Sequence, residues 1–229
     1  MPVHADTYLY HDPCHTPLRL NPPLETVKKL TGANVVQSER CCGESGLFAV
    51  KRPDIASQVR HRKFEEIEKA RAKAGIKGHV KMLTTCPGCL QGLSRYEERA
   101  DMDAEYIVVE MARQICAEYG CKKVASVVRN ISCVERSIWM GMLFDAESGE
   151  HWFSPAHDVH VLEGVAAGDA FNAGLVHALI NDFDPQDAVN YAIAASILKL
   201  TIKGDSNLVT AGEIASVASA ADGGTRVAR

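Results

Sequence analysis

Five cysteines in the first half of the chain have the residue type and spacing to hold a metal. Two of them are adjacent in the segment SERCCGESG, residues 38–46, and two more form the motif CPGC. Thiolates are soft ligands that select zinc, copper(I) or iron–sulfur clusters. Because a single CxxC motif also fits a thioredoxin-like redox pair, the prediction of a metal site depends on the whole set. That set is Cys14, Cys41, Cys42, Cys86 and Cys89.

The adjacent pair Cys41 and Cys42 favours a multi-iron cluster over a zinc ion. Two neighbouring thiolates reach one tetrahedral ion only over a short backbone path, whereas a cluster offers them separate iron atoms. Gly43 and Gly46 let the backbone approach closely, so that their amides can hydrogen-bond to cluster sulfides. A zinc–thiolate structural module and a set of buried, inert cysteines remain as alternatives.

Charged residues near the cysteines have two interpretations each. His11 and His15 flank Cys14 and either supplement the metal site or form ordinary hydrogen bonds at a strand end. The basic run at residues 60–63 either receives an acidic partner or forms a solvated helix face. We expect the solvated face, because Glu65, Glu66 and Glu68 follow at helical spacing.

The first half alternates strands with helices, which predicts an α/β fold with a parallel sheet. Strands are predicted near residues 5–10, 34–39 and 79–85, and the cysteines follow these three strands directly. Helices are predicted at residues 23–32 and 53–74. The carboxyl ends of parallel strands share one edge of a sheet, so the five thiols are expected to converge there.

The second half has a different pattern. A strand at 121–130 and a hairpin around DAESGE, residues 145–150, are followed by a strand at 158–164 and by three helices. The segment AAGDAFNAG places Asp169 among small residues at a helix start. Such a helix start can bind phosphate, and an aspartate there can accept a proton from a hydroxyl. Asp169 as a simple helix cap is the alternative.

Composition and charge also divide the chain. Residues 1–113 hold 17 basic and 15 acidic side chains, whereas residues 114–229 hold 8 and 14. No run approaches the ~18 apolar residues of a membrane span, and the N-terminus lacks a signal-peptide pattern. We therefore expect a cytoplasmic protein with reduced thiols. The acidic net charge, −4, and the absence of a basic patch with interleaved aromatic residues argue against nucleic-acid binding.

The segments YHDPCH, CCGESG and TTCPGC together resemble the cysteine-rich CCG domain that occurs in heterodisulfide reductase and in the iron–sulfur component of glycolate oxidase. The resemblance covers about residues 5–113. It implies a [4Fe–4S] cluster, ordinary or noncubane, and a redox partner that carries a flavin or a ferredoxin-like cluster. It implies as ligands Cys14, Cys41, Cys42, Cys86 and Cys89. Family members usually carry two such domains, whereas this sequence has one.

Residues from about 114 to 217 resemble the C-terminal part of PfkB (ribokinase-like) sugar kinases, with 2-keto-3-deoxygluconate kinase as the nearest type. The resemblance implies that Asp169 is the catalytic base and that ATP with magnesium is the cofactor. It also implies nucleotide- or phosphate-binding positions at Ala166, Ala167, Gly168, Ala194, Ala195, Gly204, Asp205 and Asn207. The sequence departs from the family in reading AAGD where GxGD is usual, and the kinase's N-terminal half has no counterpart.

The sequence thus predicts a CCG iron–sulfur domain at 1–113 and a partial ribokinase-like α/β domain at 114–229. The leading interpretation is an iron–sulfur electron-transfer component of a glycolate- or lactate-oxidising or heterodisulfide reductase-like system, with an inactive half kinase. A sugar kinase, or its nucleotide-binding remnant, is the alternative from another class. The sequence leaves open whether the chain forms a homo-oligomer through the open edge of its kinase half.

Overall fold

The computed structural model of this chain describes residues 7–14, 16, 22–43, 51–133 and 136–220. These residues separate into two compact units, Met1–Tyr119 and Gly120–Arg229. The helix that ends the first unit runs to Tyr119, past the domain boundary predicted at residue 113. Among the described residues, no helix is long and apolar enough to cross a membrane.

The first unit is an α/β fold around a four-stranded parallel sheet, as predicted. Its strands lie in the order β2-β1-β3-β4. The strands are β1 (Thr7–His11), β2 (Asn34–Ser38), β3 (Val80–Thr84) and β4 (Met102–Tyr106). The helices are α1 (Pro23–Thr31), α2 (Pro53–Ala74), α3 (Pro87–Ser94), α4 (Glu97–Ala100) and α5 (Ile107–Tyr119).

Local sequence explains most of these boundaries. Strand β1 is buried on both faces, with Tyr8, Leu9 and Tyr10 fully enclosed, as expected of a central parallel strand. Helix α2 begins with a proline in its first turn and ends at Gly75, whose φ of 69° is the left-handed conformation that glycine adopts without strain. The structure confirms the helix predicted at 53–74.

Strand β4 is the element that the sequence did not predict. The latter part of residues 104–120 has apolar residues at helical spacing, and the helix α5 forms there. It follows the strand with no turn residue between them, since β4 ends at Tyr106 and α5 begins at Ile107. Because the residue pattern changes from strand to helix spacing without a turn, the sequence does not reveal this short strand. The strand also carries the acidic residues Asp103 and Glu105.

The second unit packs helices against an antiparallel sheet. Strand β6 is central: it pairs with β5 along one side, and β7 and β8 pair with different parts of its length. The predicted hairpin around residues 145–150 is confirmed. The elements are β5 (Lys123–Cys133), β6 (Arg136–Asp145), β7 (His151–Phe153), β8 (His157–His160), α6 (Ala167–Ile180), α7 (Pro185–Lys199) and α8 (Ala211–Ala218).

Helices α6 and α7 of the second unit are in close contact at a glycine. A β-carbon added at Gly174 of α6 would lie 3.0 Å from the β-carbon of Ala195 and 3.1 Å from the α-carbon of Ala192. Small residues on both helices therefore permit the approach. From Ala192 to Lys199 every residue of α7 is buried, so this helix forms the centre of the unit.

A buried carboxylate ties the sheet of the first unit to α5. Glu110 is fully enclosed and accepts hydrogen bonds from the hydroxyl of Tyr8 at 2.8 Å and from the guanidinium of Arg113 at 2.6 Å. The ammonium of Lys81 lies 3.3 Å from the same carboxylate. Glu105 completes the cluster by pairing with both cations. Burial raises the pKa of Glu105, but Arg113 and Lys81 outweigh it and hold that pKa below its ordinary value.

We expect Glu110→Leu to destabilise the first unit by about 3 kcal/mol, because it removes the buried acceptor of the Tyr8 hydroxyl and one of the two carboxylates that pair with Lys81 and Arg113. Amide hydrogen exchange of the β1 strand measures this loss. Glu25→Gln is the matched control, since it breaks an exposed pair with Lys28 and should cost less than about 0.5 kcal/mol. Equal protection of β1 in both variants would show that the buried cluster does not stabilise the sheet.

Candidate functional site

Three neighbouring strands of the first unit end at the same edge of the sheet. Strand β1 ends at His11, β2 at Ser38 and β3 at Thr84. Their parallel pairing aligns His11 with Ser38 on one side and with Thr84 on the other. Each predicted metal ligand lies within a few residues of one of these ends, so the convergence expected from the sequence is a property of the sheet order.

The five thiols form a connected set. The sulfur atoms of Cys42 and Cys89 lie 3.5 Å apart. The thiol of Cys89 also interacts with the thiol of Cys86. The thiol of Cys41 interacts with those of Cys14 and Cys42. The structure therefore brings together the cysteines that follow all three strands.

The five thiols of this site differ in their exposure to solvent. Cys42 and Cys89 are 3% and 6% exposed, whereas Cys86 is half-buried and Cys14 and Cys41 are exposed. A group bound here would rest on the buried pair and be reached from solvent past the other thiols.

Neighbouring groups divide the thiols by acidity. A hydrogen bond from the Cys89 thiol lowers the pKa of Cys86 to about 6, with help from the backbone N–H groups of Cys89 and Gly88 and against the effect of burial. Hydrogen bonds to Cys42 and Cys86 raise the pKa of Cys89 itself. Burial raises the pKa of Cys41, while the N–H of Gly43 opposes it. Cys86, at the N-cap of α3, is thus the thiol best prepared to ionise.

A polar cluster lies beside the buried thiols. It consists of His11, Ser38, Lys63 and Glu66, and the first three are at most 1% exposed. The ammonium of Lys63 is 2.6 Å from Ser38 Oγ, 3.2 Å from His11 Nδ1 and 3.4 Å from Glu66 Oε2. Burial lowers the pKa of Lys63, and Glu66 together with the thiols of Cys42 and Cys41 opposes this shift.

The expectation that residues 60–63 form a solvated helix face is wrong for Lys63. His61 does face solvent and pairs with Glu65, but Lys63 is fully enclosed. Lys63 lies on helix α2, whereas its partners Ser38 and His11 lie at the ends of β2 and β1. Helical spacing alone therefore could not reveal them. A signal was available in the buried face of α2, because Ala56, Lys63 and Ile67 are spaced by seven and four residues.

The donor set of the site suits a thiophilic metal group. One ring nitrogen of His11 and the sulfurs of Cys42 and Cys89 all lie within 4.8 Å of one another. The Nε2 atom of His11 is buried and, among the described residues, has no hydrogen-bond partner. Soft sulfur donors beside such a nitrogen fit zinc or an iron–sulfur cluster. His15 and Gly46, which the sequence places beside Cys14 and Cys42, lie outside the described residues.

In the second unit, Asp169 is exposed in the first turn of α6. The N-cap of that helix is Ala166, with no side-chain capping bond, so Asp169 is not the cap. Ala166 has a φ of 60°, a left-handed conformation that costs a residue with a β-carbon more than glycine. Ala167 is buried, and its carbonyl accepts a hydrogen bond from the Ser196 hydroxyl at 2.9 Å.

The other predicted nucleotide positions are spread along α7 and the loop after it. Ala194 and Ala195 are buried in α7, and the amide of Asn207 donates to the carbonyl of Ala195 at 3.4 Å. Ala195 and Asn207 line a cavity of about 190 Å³ that also contacts α6. Gly204, with a φ of 85°, and the exposed Asp205 belong to the same loop. Neither these two residues nor Asp169 line that cavity.

Comparison with protein families agrees with this division. Residues 8–94 match the model of a cysteine-rich domain, CCG, and residues 140–211 match the pfkB family carbohydrate kinase model. The first unit is therefore similar to the cysteine-rich CCG domain over most of its length, and the second unit is similar to pfkB family kinases over part of its length. Residues 94–119, between the two matches, fit a further domain of unknown function, DUF3400.

Individual relatives cover the chain unevenly. An uncharacterized iron–sulfur protein of Methanococcus maripaludis is 27% identical over 138 residues, which are 58% of this chain and 24% of that protein. A 2-dehydro-3-deoxygluconokinase from Thermotoga maritima superposes with a TM-score of 0.48 and 22% identity, over 94% of this chain and 61% of its own. A PfkB family carbohydrate kinase from Listeria grayi gives 0.46 and 17%, over 84% and 62%. The chain therefore spans about a quarter of the curated relative and less than two thirds of either kinase.

We expect Ala166→Gly to stabilise the second unit by roughly 0.5–1 kcal/mol. Glycine removes the cost of a left-handed alanine, about 1–2 kcal/mol, but the greater conformational entropy of glycine in the unfolded chain offsets part of this gain. Ala173→Gly, at an exposed position within α6, is the matched control and should lose about 1 kcal/mol. Urea denaturation followed by tryptophan fluorescence reports on this unit, which contains Trp139 and Trp152. A loss of stability in both variants would show that position 166 is not strained.

Proposed function

We propose that the first unit holds a [4Fe–4S] cluster, ordinary or noncubane, on Cys14, Cys41, Cys42, Cys86 and Cys89. The observation that carries this proposal is the connected set of five thiols at the ends of three parallel strands. The adjacent pair divides its roles, since Cys42 is buried while Cys41 is exposed. Such a pair suits a cluster with several iron atoms better than one tetrahedral ion.

The role we propose is that of an electron-transfer component in a 2-hydroxy-acid oxidising system, for glycolate or lactate, or in a heterodisulfide reductase-like system. A bound cluster would supply one-electron redox chemistry. The protein encloses Cys42 and Cys89 away from solvent and places a charged network that includes Lys63 beside them. The cysteine-rich domain match and the iron–sulfur relative support this role.

The exposed thiols Cys14 and Cys41 mark the side from which electrons would enter or leave. We therefore propose that a partner protein with a flavin or a ferredoxin-like cluster docks over this edge of the sheet. Electron transfer between proteins needs the two redox groups to approach closely, and the buried side of the site is closed by the sheet and α2.

Oligomer formation by the second unit is a separate proposal, which rests only on the PfkB match to part of a kinase domain.

For the second unit we propose no independent phosphotransfer. Asp169 is exposed and outside the cavity that Ala195 and Asn207 line, and the PfkB match is limited to residues 140–211. The alternative, a sugar kinase or a nucleotide-binding remnant, rests on that same match. ATP-dependent phosphorylation of 2-keto-3-deoxygluconate by this chain, abolished in Asp169→Ala, would establish the alternative.

Purification under anaerobic conditions, followed by assay of iron, acid-labile sulfide and zinc, tests the cluster directly. We expect iron and sulfide in near-equal amounts, both lost in the double variant Cys41→Ser/Cys42→Ser. Cys121→Ser is the matched control because this exposed cysteine lies in the second unit, and it should retain both. Zinc without sulfide would instead establish a structural thiolate site, and a metal-free protein would establish inert cysteines.

A further inference from the structure

The hydrogen bonds around Lys63 determine which nitrogen of His11 carries its proton. A lysine ammonium has three N–H donors and no acceptor. Three acceptors surround the Nζ atom, namely Ser38 Oγ, Glu66 Oε2 and His11 Nδ1. The hydroxyl hydrogen of Ser38 is already donated to Glu66, so Ser38 can only accept from Lys63. Each ammonium hydrogen therefore has one acceptor.

This arrangement leaves His11 Nδ1 no role except that of acceptor. In a neutral imidazole one nitrogen accepts and the other carries the hydrogen, so the hydrogen is on Nε2. The Nε2 atom is buried, and no described residue accepts a hydrogen bond from it. A buried N–H without an acceptor loses its hydrogen bonds to water and gains none in return, which predicts that this group has a partner when the site is loaded.

The sulfurs of the thiol site are the acceptors within reach. His11 is at the end of β1, and a ring nitrogen lies within 4.8 Å of the sulfurs of Cys42 and Cys89. Because Nδ1 is occupied by Lys63, Nε2 is the nitrogen available to them. Thiolate and sulfide sulfurs accept N–H hydrogen bonds, and such bonds tune the reduction potential of iron–sulfur groups.

We propose that His11 donates an Nε2–H hydrogen bond to a sulfur of the metal–thiolate site, that it is not a metal ligand, and that Lys63 fixes the required tautomer. His11 then stabilises the electron-rich, reduced form of the bound group, and its loss lowers the reduction potential. Lys63 is a positioning residue, held in place by Ser38 and Glu66. The effect on potential rests on the proposed cluster, whereas the tautomer is a property of the protein alone.

The first arm of the test uses the reduced, metal-free protein. Long-range ¹H–¹⁵N correlation spectra distinguish the two tautomers, and we expect the His11 proton on Nε2 with Nδ1 unprotonated. Lys63→Met keeps the length of the side chain but removes its donors, so we expect it to abolish this preference. A proton on Nδ1 of His11 in the unsubstituted protein would overturn the proposal, whatever metal the site binds.

The second arm uses the anaerobically purified, iron-loaded protein. His11→Gln can place an amide N–H near the position of Nε2, whereas His11→Leu fills the space without a donor. We expect both variants to retain iron and sulfide, with a lower midpoint potential in His11→Leu and a potential closer to that of the unsubstituted protein in His11→Gln. His61→Gln, on the exposed face of α2, is the matched control and should leave the potential unchanged.

Loss of iron in both His11 variants would identify His11 as a ligand and overturn the proposal. An unchanged potential in His11→Leu would overturn it as well. If no variant or parent protein holds iron, the proposed cluster fails while the spectra of the first arm still decide the tautomer. The two failures are therefore distinguishable.

Discussion

The parallel pairing of β2, β1 and β3 is the constraint on which the rest of the site depends. Side by side and in the same direction, these strands deliver His11, Ser38 and Thr84 to one edge. The cysteines that follow are separated by dozens of residues in sequence, yet their thiols form one connected set. Reversing the direction of any one of the three strands would send its cysteines to the opposite edge, and the site would not exist.

Burying the ammonium of Lys63 costs free energy, and the groups around it offset this cost. Taking an ammonium out of water costs several kcal/mol unless charge and hydrogen bonds compensate. Glu66 provides the opposite charge, and Ser38 and His11 each accept a hydrogen bond from the Lys63 ammonium. A structural role alone would be met as well by an apolar residue on the buried face of α2. The position of Lys63 beside His11 and the thiols indicates that its charge serves the site.

Much of the fold follows from local sequence, but the network beneath the site does not. Proline at the start of α2, Gly75 at its end and the apolar run of β1 predict these elements because each signal acts within a few residues. The convergence of the cysteines also follows, since it needs only the order of strands and helices. The sequence does not predict strand β4, because this strand runs directly into α5. It does not predict the burial of Lys63 either, because its partners Ser38 and His11 are distant in sequence.

X-ray absorption spectroscopy of the anaerobically purified protein at the iron and zinc edges tests the central claim most directly. The account predicts iron coordinated by sulfur, together with iron–iron scattering from a multinuclear cluster. It would be contradicted by zinc in a mononuclear sulfur shell, or by iron surrounded only by oxygen and nitrogen. Either result would mean that the five thiols meet at one edge of the sheet for a purpose other than electron transfer.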